Sequence, residues 1–305
     1  MLNTKEVAQF LNINEKQVYR LIKEKKIPGT RITGKWIFPR KLIEEWIVES
    51  ARENVGIRKI KGLKDHIVVM GSNDFTTELF SHELSRKYPE FSLSFSNVGS
   101  IGGLIALERG SSHMASCHLL DPETGEYNLP YIPRYLPDLK ILVVNLVYRD
   151  LGLFLRSDNP IDITGIKDLA RPGIKIINRQ EGSGTRIFFD FELKRQGINP
   201  KRINGYEKEV STHTDVAMAV FSRVADVGLG ILPAAKMLGL KFIPLTKERY
   251  DLVIPQENYS LKPVKSLLKI ISSQEFKIKV EEMGGYDTRD SGEIIADHDH
   301  QYNVK

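Results

Sequence analysis

Cysteine is nearly missing: Cys117 is the single one in 305 residues, which excludes an intrachain disulfide and a cysteine-rich metal site. No stretch of about 18 apolar residues occurs, so no membrane-spanning helix is expected. The first residues are polar and lack the apolar core of a secretory leader, so a cytoplasmic location is expected. The phosphate-loop pattern (GxxxxGK followed by Ser or Thr) is absent. No nucleophile–base pairing or metal-ligand spacing stands near the glycine-rich turns, so no catalytic residues, no metal and no resident cofactor are expected. The run Asp297-His298-Asp299-His300 has metal-ligand chemistry, but it falls in residues 291–305, read as an unstructured polar tail.

Positive charge is present but uneven. Residues 1–64 hold 15 Lys/Arg against 7 Asp/Glu, whereas the rest hold 29 against 32. The net charge of +5 therefore originates in the first fifth of the chain, which points to nucleic acid for that piece alone.

Within it, Asn3 or Thr4 caps a first helix that buries Val7, Ala8 and Leu11. Asn12-Ile13-Asn14 turns the chain into a second helix reaching about Lys25, with Val18, Leu21 and Ile22 inside and Lys16, Gln17, Arg20 and Lys23 outside. Two short helices in this arrangement form a helix-turn-helix. A hairpin turning at Thr33-Gly34 follows, then a helix from about Arg40 to Ser50. Trp36 and Trp46 read as core residues. The domain spans residues 1–50, and the charged segment 51–64 is read as a linker.

From His66 the pattern changes to strands alternating with helices, which implies a parallel sheet with helices on both faces. Ile67 to Met70, Leu93 to Phe95, His113 to Cys117 and Ile141 to Val147 are strand runs, and Pro263 to Lys279 reads as one amphipathic closing helix. Four junctions share one chemistry: Gly71-Ser72-Asn73, Gly99-Ser100, Gly182-Ser183-Gly184-Thr185-Arg186 and Ser211-Thr212-His213-Thr214. Each sets small hydroxyl or glycine residues before a helix, where unpaired N–H groups and the dipole favour an anion. Arg186 adds a full cation. Four independent N-caps would look the same. His118 and Asp121 read first as loop residues, with a place in a cleft as the alternative, and Cys117 reads as core.

Two resemblances sharpen this. "TKEVAQFLNINEKQVYRLIKEKKIPGTRITGKWIFPRKLIEEWI" resembles the excisionase/MerR-like winged helix-turn-helix family over nearly all its length. The resemblance implies that Gln17 and Arg20 meet base edges in double-stranded DNA and that Arg31 and Lys35 meet phosphates or the minor groove, with Lys16 beside them. "GSND", "NVGSIGGLIALERGSSHMASCHLLDPETGEYN", "RQEGSGTRIFFDFEL", "VAMAVFSRVADVGLGI" and "RYDLVIP" resemble type II periplasmic binding proteins, in particular the molybdate/tungstate-binding branch and its regulator-fused cousins, from about Ile67 to Asp290. This implies an α/β, two-lobed domain, with lobe 1 at 65–147 and 252–290, lobe 2 at 148–251, and crossings near Tyr148–Gly152 and Pro244–Asp251. By the resemblance Ser72 and Ser100 contact the anion from the first lobe, the Ser183-Gly184 turn contacts it from the second, and Thr214 lies near. The chain departs from that branch at Gly230-Ile231, where molybdate binders often carry tyrosine. Arg186 also leaves room for a carboxylate or a phosphate-bearing metabolite.

Together these imply a ligand-responsive transcriptional regulator, a homodimer, with molybdate or tungstate as a possible effector. The alternatives are an enzyme acting on a small phosphorylated or carboxylated substrate and an excisionase-like architectural DNA-binding protein.

Overall fold

The computed structural model describes residues 1–54 and 65–297, which belong to two compact units. In the first, helices α1 (Thr4–Phe10) and α2 (Glu15–Lys23) each begin at an asparagine whose side chain accepts from the N–H three residues on. Glu6 and Gln17 return the bond, so both helices carry complete capping boxes. Strands β1 (Thr30–Ile32) and β2 (Lys35–Ile37) pair antiparallel. Their two-residue turn needs positive φ twice, and Thr33 (49°) and Gly34 (80°) supply it. Val7, Val18, Ile27, Phe38 and Ile43 form the core, and Trp36 and Trp46 pack against it as expected. Helix α3 (Arg40–Asn54) runs past the expected end at Ser50. The remainder of the expected linker, residues 55–64, lies outside the described residues.

The second unit opens with β3 (His66–Gly71), α4 (Phe75–Lys87), β4 (Ser92–Asn97), α5 (Gly99–Glu108) and β5 (Met114–Cys117), whose strands are parallel in the order β4-β3-β5. A short α6 (Ile132–Tyr135) leads to β6 (Ile141–Leu155). Then come β7 (Ile176–Arg179), α7 (Gly184–Arg195), β8 (Glu209–Val210), α8 (His213–Phe221) and β9 (Val227–Ile231), with β7 parallel to both β8 and β9. After α9 (Leu232–Met237), β10 (Lys241–Pro255) returns to the first lobe. There α10 (Gln256–Tyr259), α11 (Lys262–Ile271), α12 (Gln274–Met283), β11 (Tyr286–Asp287) and β12 (Ile294–Asp297) complete the fold.

The two lobes share one sheet, ordered β4-β3-β5-β10-β6-β9-β7-β8. β6 and β10 pair antiparallel over 15 residues each and belong to both lobes. β5 lies against the Asp251–Val253 end of β10, and β9 against the Leu151–Leu155 end of β6. The segments expected as crossings are thus the middles of two continuous strands, with register slips between Pro244 and Thr246 and between Tyr250 and Asp251.

Two further expectations are corrected. The closing helix is broken at Ser272-Ser273, because Ser273 accepts from the N–H of Phe276 and starts α12 afresh. The tail is structured as far as Asp297: β12 pairs with Val144, Val143 and Leu142 of β6 and lays Ile295 and Ala296 on apolar neighbours. His298 to His300 lie outside the described residues.

Helix α5 approaches β3 closely at Gly103, where a Cβ would stand 2.7 Å from the Met70 carbonyl and 2.9 Å from Gly71 Cα. Gly103→Ala is expected to lower stability by about 1–3 kcal/mol in denaturant unfolding. Gly165→Ala, which meets open space, is expected to change it by less than about 0.5 kcal/mol.

Candidate functional site

The parallel strands end at one place. Ser72 follows β3, His118 follows β5 and Gln180 follows β7, while α5, α7 and α8 begin beside them. Ligands in open α/β sheets bind at such carboxyl ends. The lobes touch here: Ile101 N donates to the Gly182 carbonyl at 3.3 Å and Asn97 Nδ2 to that of Ser211 at 2.7 Å. Only glycine fits at position 184, since a Cβ would lie 2.3 Å from the His118 carbonyl.

Beneath the cleft a buried polar network links the lobes. Arg149 on β6 stands directly opposite Glu248 on β10. Its Nε donates to Glu248 Oε1 at 2.6 Å and its Nη1 to Asp74 Oδ2 at 2.6 Å. Glu248 Oε2 lies 2.9 Å from His118 Nδ1, and His118 Nε2 lies 2.7 Å from Ser72 Oγ. All five side chains are essentially excluded from water. Burial alone would raise the Glu248 carboxyl, but His118 and Arg149 outweigh it and hold it at about 2. Burial, together with the Arg149 and Arg179 guanidiniums, pushes the His118 pKa down against the pull of Glu248.

Arg179, the last residue of β7, differs from Arg149. It bonds to Gln180 Oε1 and the Ser211 carbonyl, neither of them charged, and has no carboxylate partner among the described residues. Burial and then Arg149 lower its pKa to about 10. Arg149 Nη2, Arg179 Nη1, Thr185 Oγ1 and both ring nitrogens of His213 are among the buried polar atoms that have no hydrogen-bond partner among the described residues. His213, wholly buried in the first turn of α8, is pushed well below its ordinary pKa by burial, then by Arg179, Arg149 and His118. These atoms, carried by β6, β7 and the first turns of α7 and α8, make the carboxyl ends of the strands the candidate site.

The expected site residues divide accordingly. Ser72 and Ser100 both meet His118, the second by accepting from its N–H at 3.2 Å. Gly182, Ser183, Gly184 and Thr185 line the opposing turn, though the Ser183 hydroxyl is engaged in capping α7 and in donating to the Gln180 carbonyl. Asn73 is half-buried, and its carbonyl accepts from Arg149 Nη1 at 3.4 Å. Thr214 is half-buried in the first turn of α8. Arg186 is corrected: its guanidinium pairs with Asp190 and Glu209 and stacks 4.1 Å over Tyr206, so it offers no free charge to a ligand. Asp121 shapes its own loop by accepting from Glu123 and Thr124. Sequence reading missed Arg149, Arg179 and Glu248, and placed His213 only as a member of the fourth junction. A signal existed for two of them: Arg149 interrupts the apolar run of β6, and Arg179 closes an apolar strand just before the glycine turn.

In the first unit, Lys16 and Arg20 are exposed on α2, and Arg31 and Lys35 on the hairpin. Gln17, half-buried on α2, also caps its own helix, its side-chain carbonyl accepting from Asn14 N–H while its amide NH2 takes no part in that bond.

Residues 81–272 match the model of the PBP superfamily domain, well over half of the chain. The chain belongs to the PBP superfamily. Residues 1–49 of this PBP-superfamily member match the Helix-turn-helix domain family. Uncharacterized protein YvgK of Bacillus subtilis (strain 168) is 32% identical over 302 residues, covering 96% of each chain. Among solved structures, a putative phosphate ABC transporter substrate-binding protein with bound phosphate from Clostridium perfringens aligns with a TM-score of 0.56 at 16% identity, over 72% of this chain and 97% of that one. The tungstate ABC transporter of Geobacter sulfurreducens aligns at 0.53 and 14% identity, over 72% and 99%. Both likenesses concern the fold. No described helix is long and apolar enough to cross a membrane.

Arg149→Met strands Asp74 and Glu248 without their cation and is expected to cost about 3–5 kcal/mol in chemical unfolding. A second expectation concerns pH. His118 and His213 have folded pKa values below the ordinary 6.5, so the unfolded chain binds more protons below that point. Thermal stability should therefore fall as pH drops through 6.5, and Glu248 should add a further loss between 4.5 and about 2. His213→Phe should flatten the first part of that profile, read by circular dichroism melts from pH 8 to 4.

Proposed function

We propose that the chain is a ligand-responsive transcriptional regulator, which binds double-stranded DNA through its first unit and senses a small anion in the two-lobed cleft. The observation that carries the second half is Arg179: a buried guanidinium with a free Nη1, at the turn where α7 begins and beside α8. A buried cation whose direct bonds go only to neutral groups, with Glu248 and Asp215 acting on it from a distance, is costly, and an anion in the cleft lowers the cost. Neighbours of the same fold are named for phosphate and for tungstate, which makes both oxyanions, and molybdate with them, the first probes. Binding would favour the closed lobes, with β6 and β10 flexing as the hinge. One winged domain covers little DNA, so two copies on a two-fold site are the natural arrangement, and the protein would act as a homodimer.

The order Ser72–His118–Glu248 is also that of a hydrolase relay. Sequence reading expected no such pairing, and the geometry supplies it. In a relay the carboxylate must stabilise an imidazolium as it forms. Here Arg149 already neutralises Glu248, and two guanidiniums oppose a charge on His118. The chain of bonds is better suited to fixing where the proton sits on His118.

Two measurements test the reading. Thermal unfolding of the full chain with phosphate, sulfate, molybdate, tungstate and simple organic acids should give a melting shift with at least one of them. At 100 times the dissociation constant the gain is about 2.7 kcal/mol. Selection from a random duplex pool should recover a defined site. Arg20→Ala and Lys35→Ala should each weaken its binding, and Lys35→Ala should lower the salt slope by about 1. Tight DNA binding with no melting shift from any anion would favour the architectural alternative.

A further inference from the structure

We propose that β4 is a docking edge for a second copy of this chain, pairing antiparallel with its own counterpart about a two-fold axis at Phe95. This rests on the homodimer in the reading above and names the surface that forms it.

The backbone carries the case. β4 (Ser92–Asn97) is the outermost strand of the sheet and pairs with β3 alone among the described residues. Ser92 N donates to the Asp65 carbonyl and Val98 N to that of Gly71, so the even-numbered residues turn their main-chain groups toward β3. Leu93, Phe95 and Asn97 therefore turn theirs outward, and no described residue bonds to them.

Exposed edges are ordinarily blunted by charge, proline, a bulge or a very short strand. The run Ser92-Leu93-Ser94-Phe95-Ser96-Asn97 holds no charged residue and no proline, and its register against β3 is unbroken over six residues. The opposite edge of the same sheet, β8, is only two residues long. One edge is protected and the other is not.

The outward groups are self-complementary. Antiparallel pairing centred on Phe95 sets Leu93 against the partner's Asn97 and Phe95 against the partner's Phe95, and it satisfies all three outward amides and carbonyls of each strand. Both unprotected edges are then consumed, so assembly stops at two. The flanking helix fits the same occupant. Thr77, Glu78, Ser81 and His82 of α4 line a groove beside Phe95, and its titratable groups are Glu78 and His82, one turn apart. The His82 ring otherwise meets only Glu83, at 4.0 Å. A two-fold at Phe95 lays the two α4 helices antiparallel and brings Glu78 of each copy toward the partner's His82.

The register can be read by cysteine pairing and sedimentation of the full chain. Ser94 and Ser96 are exposed, so substitutions there spare the core, and Cys117 is buried and takes no part. In the proposed pairing Ser94 faces the partner's Ser96 with Cα atoms about 4.5 Å apart, within disulfide reach, whereas each lies about 7–8 Å from its own counterpart. A mixture of Ser94→Cys and Ser96→Cys chains should therefore form a crosslinked dimer faster than either variant alone. Ser94→Asp with Ser96→Asp in one chain sets like charges opposite each other twice and should raise the dimer dissociation constant about tenfold. Ser94→Asp with Ser96→Lys makes both pairs attractive and should restore it. A dimer indifferent to these charges, with the mixture crosslinking no faster than the single variants, overturns this interface and leaves a homodimer built on another surface. A chain that sediments as a monomer at every concentration overturns the interface and the homodimer together, while DNA selection and anion melting shifts test the rest of the reading separately.

Discussion

A guanidinium sealed from water must find negative charge close by, and Arg149 is the point where this fold meets that requirement. It projects from the middle of β6, opposite Glu248 on β10, and reaches Asp74 at the start of α4. Isolated, any one of the three would cost several kcal/mol in such surroundings, so each holds the others in place. Tyr250 lies under the guanidinium at 4.3 Å, and the Tyr286 hydroxyl donates to Asp74. Both shared strands, the turn after β3 and the returning carboxyl-terminal strand therefore converge on one cation.

That convergence determines the chemistry above it. Because Arg149 keeps Glu248 ionised, Glu248 fixes the His118 tautomer, and the tautomer fixes the direction of the Ser72 hydroxyl. A serine at a strand end looks like a generic anion contact until its proton is accounted for. Arg179 is the complement. Seven residues before Arg186, it keeps the charge that Arg186 gives up to Asp190 and Glu209.

How much of this was legible follows from the range of the interactions. The winged helix-turn-helix is written locally: Asn3 with Glu6, Asn14 with Gln17 and Thr33 with Gly34 are neighbours within four residues, and apolar spacing does the rest. The alternation of strands and helices is legible for the same reason, and so are the Gly-Ser junctions that bracket the cleft. The distribution of charge among the arginines was not legible. Whether an arginine is free depends on partners such as Glu209, Glu248 or Asp74, which lie 23, 99 and 75 positions away in the chain. Arg149 and Asp150 also broke the apolar pattern of β6, so a strand of 15 residues read as a shorter strand followed by a crossing. β12 escaped notice because three apolar residues within a polar stretch signal nothing until β6 offers them an edge.

The placement of Arg149 also bears on how the lobes move. A hinge in two paired strands must flex without exposing the charges between them, and the register slips at Pro244/Thr246 and Tyr250/Asp251 flank Glu248 on either side. Bending at those slips can tilt the second lobe while Arg149 and Glu248, directly opposite each other, stay paired. In the proposed opening the contact across the cleft would change, where the Ile101–Gly182 and Asn97–Ser211 hydrogen bonds cross between lobes. These are single neutral bonds, each worth about 1 kcal/mol net. An anion bonded at once to the Ser72 side and to the Arg179–His213 side would add its interactions to the closed form alone. Differential affinity of this kind is what a ligand needs to shift a conformational equilibrium.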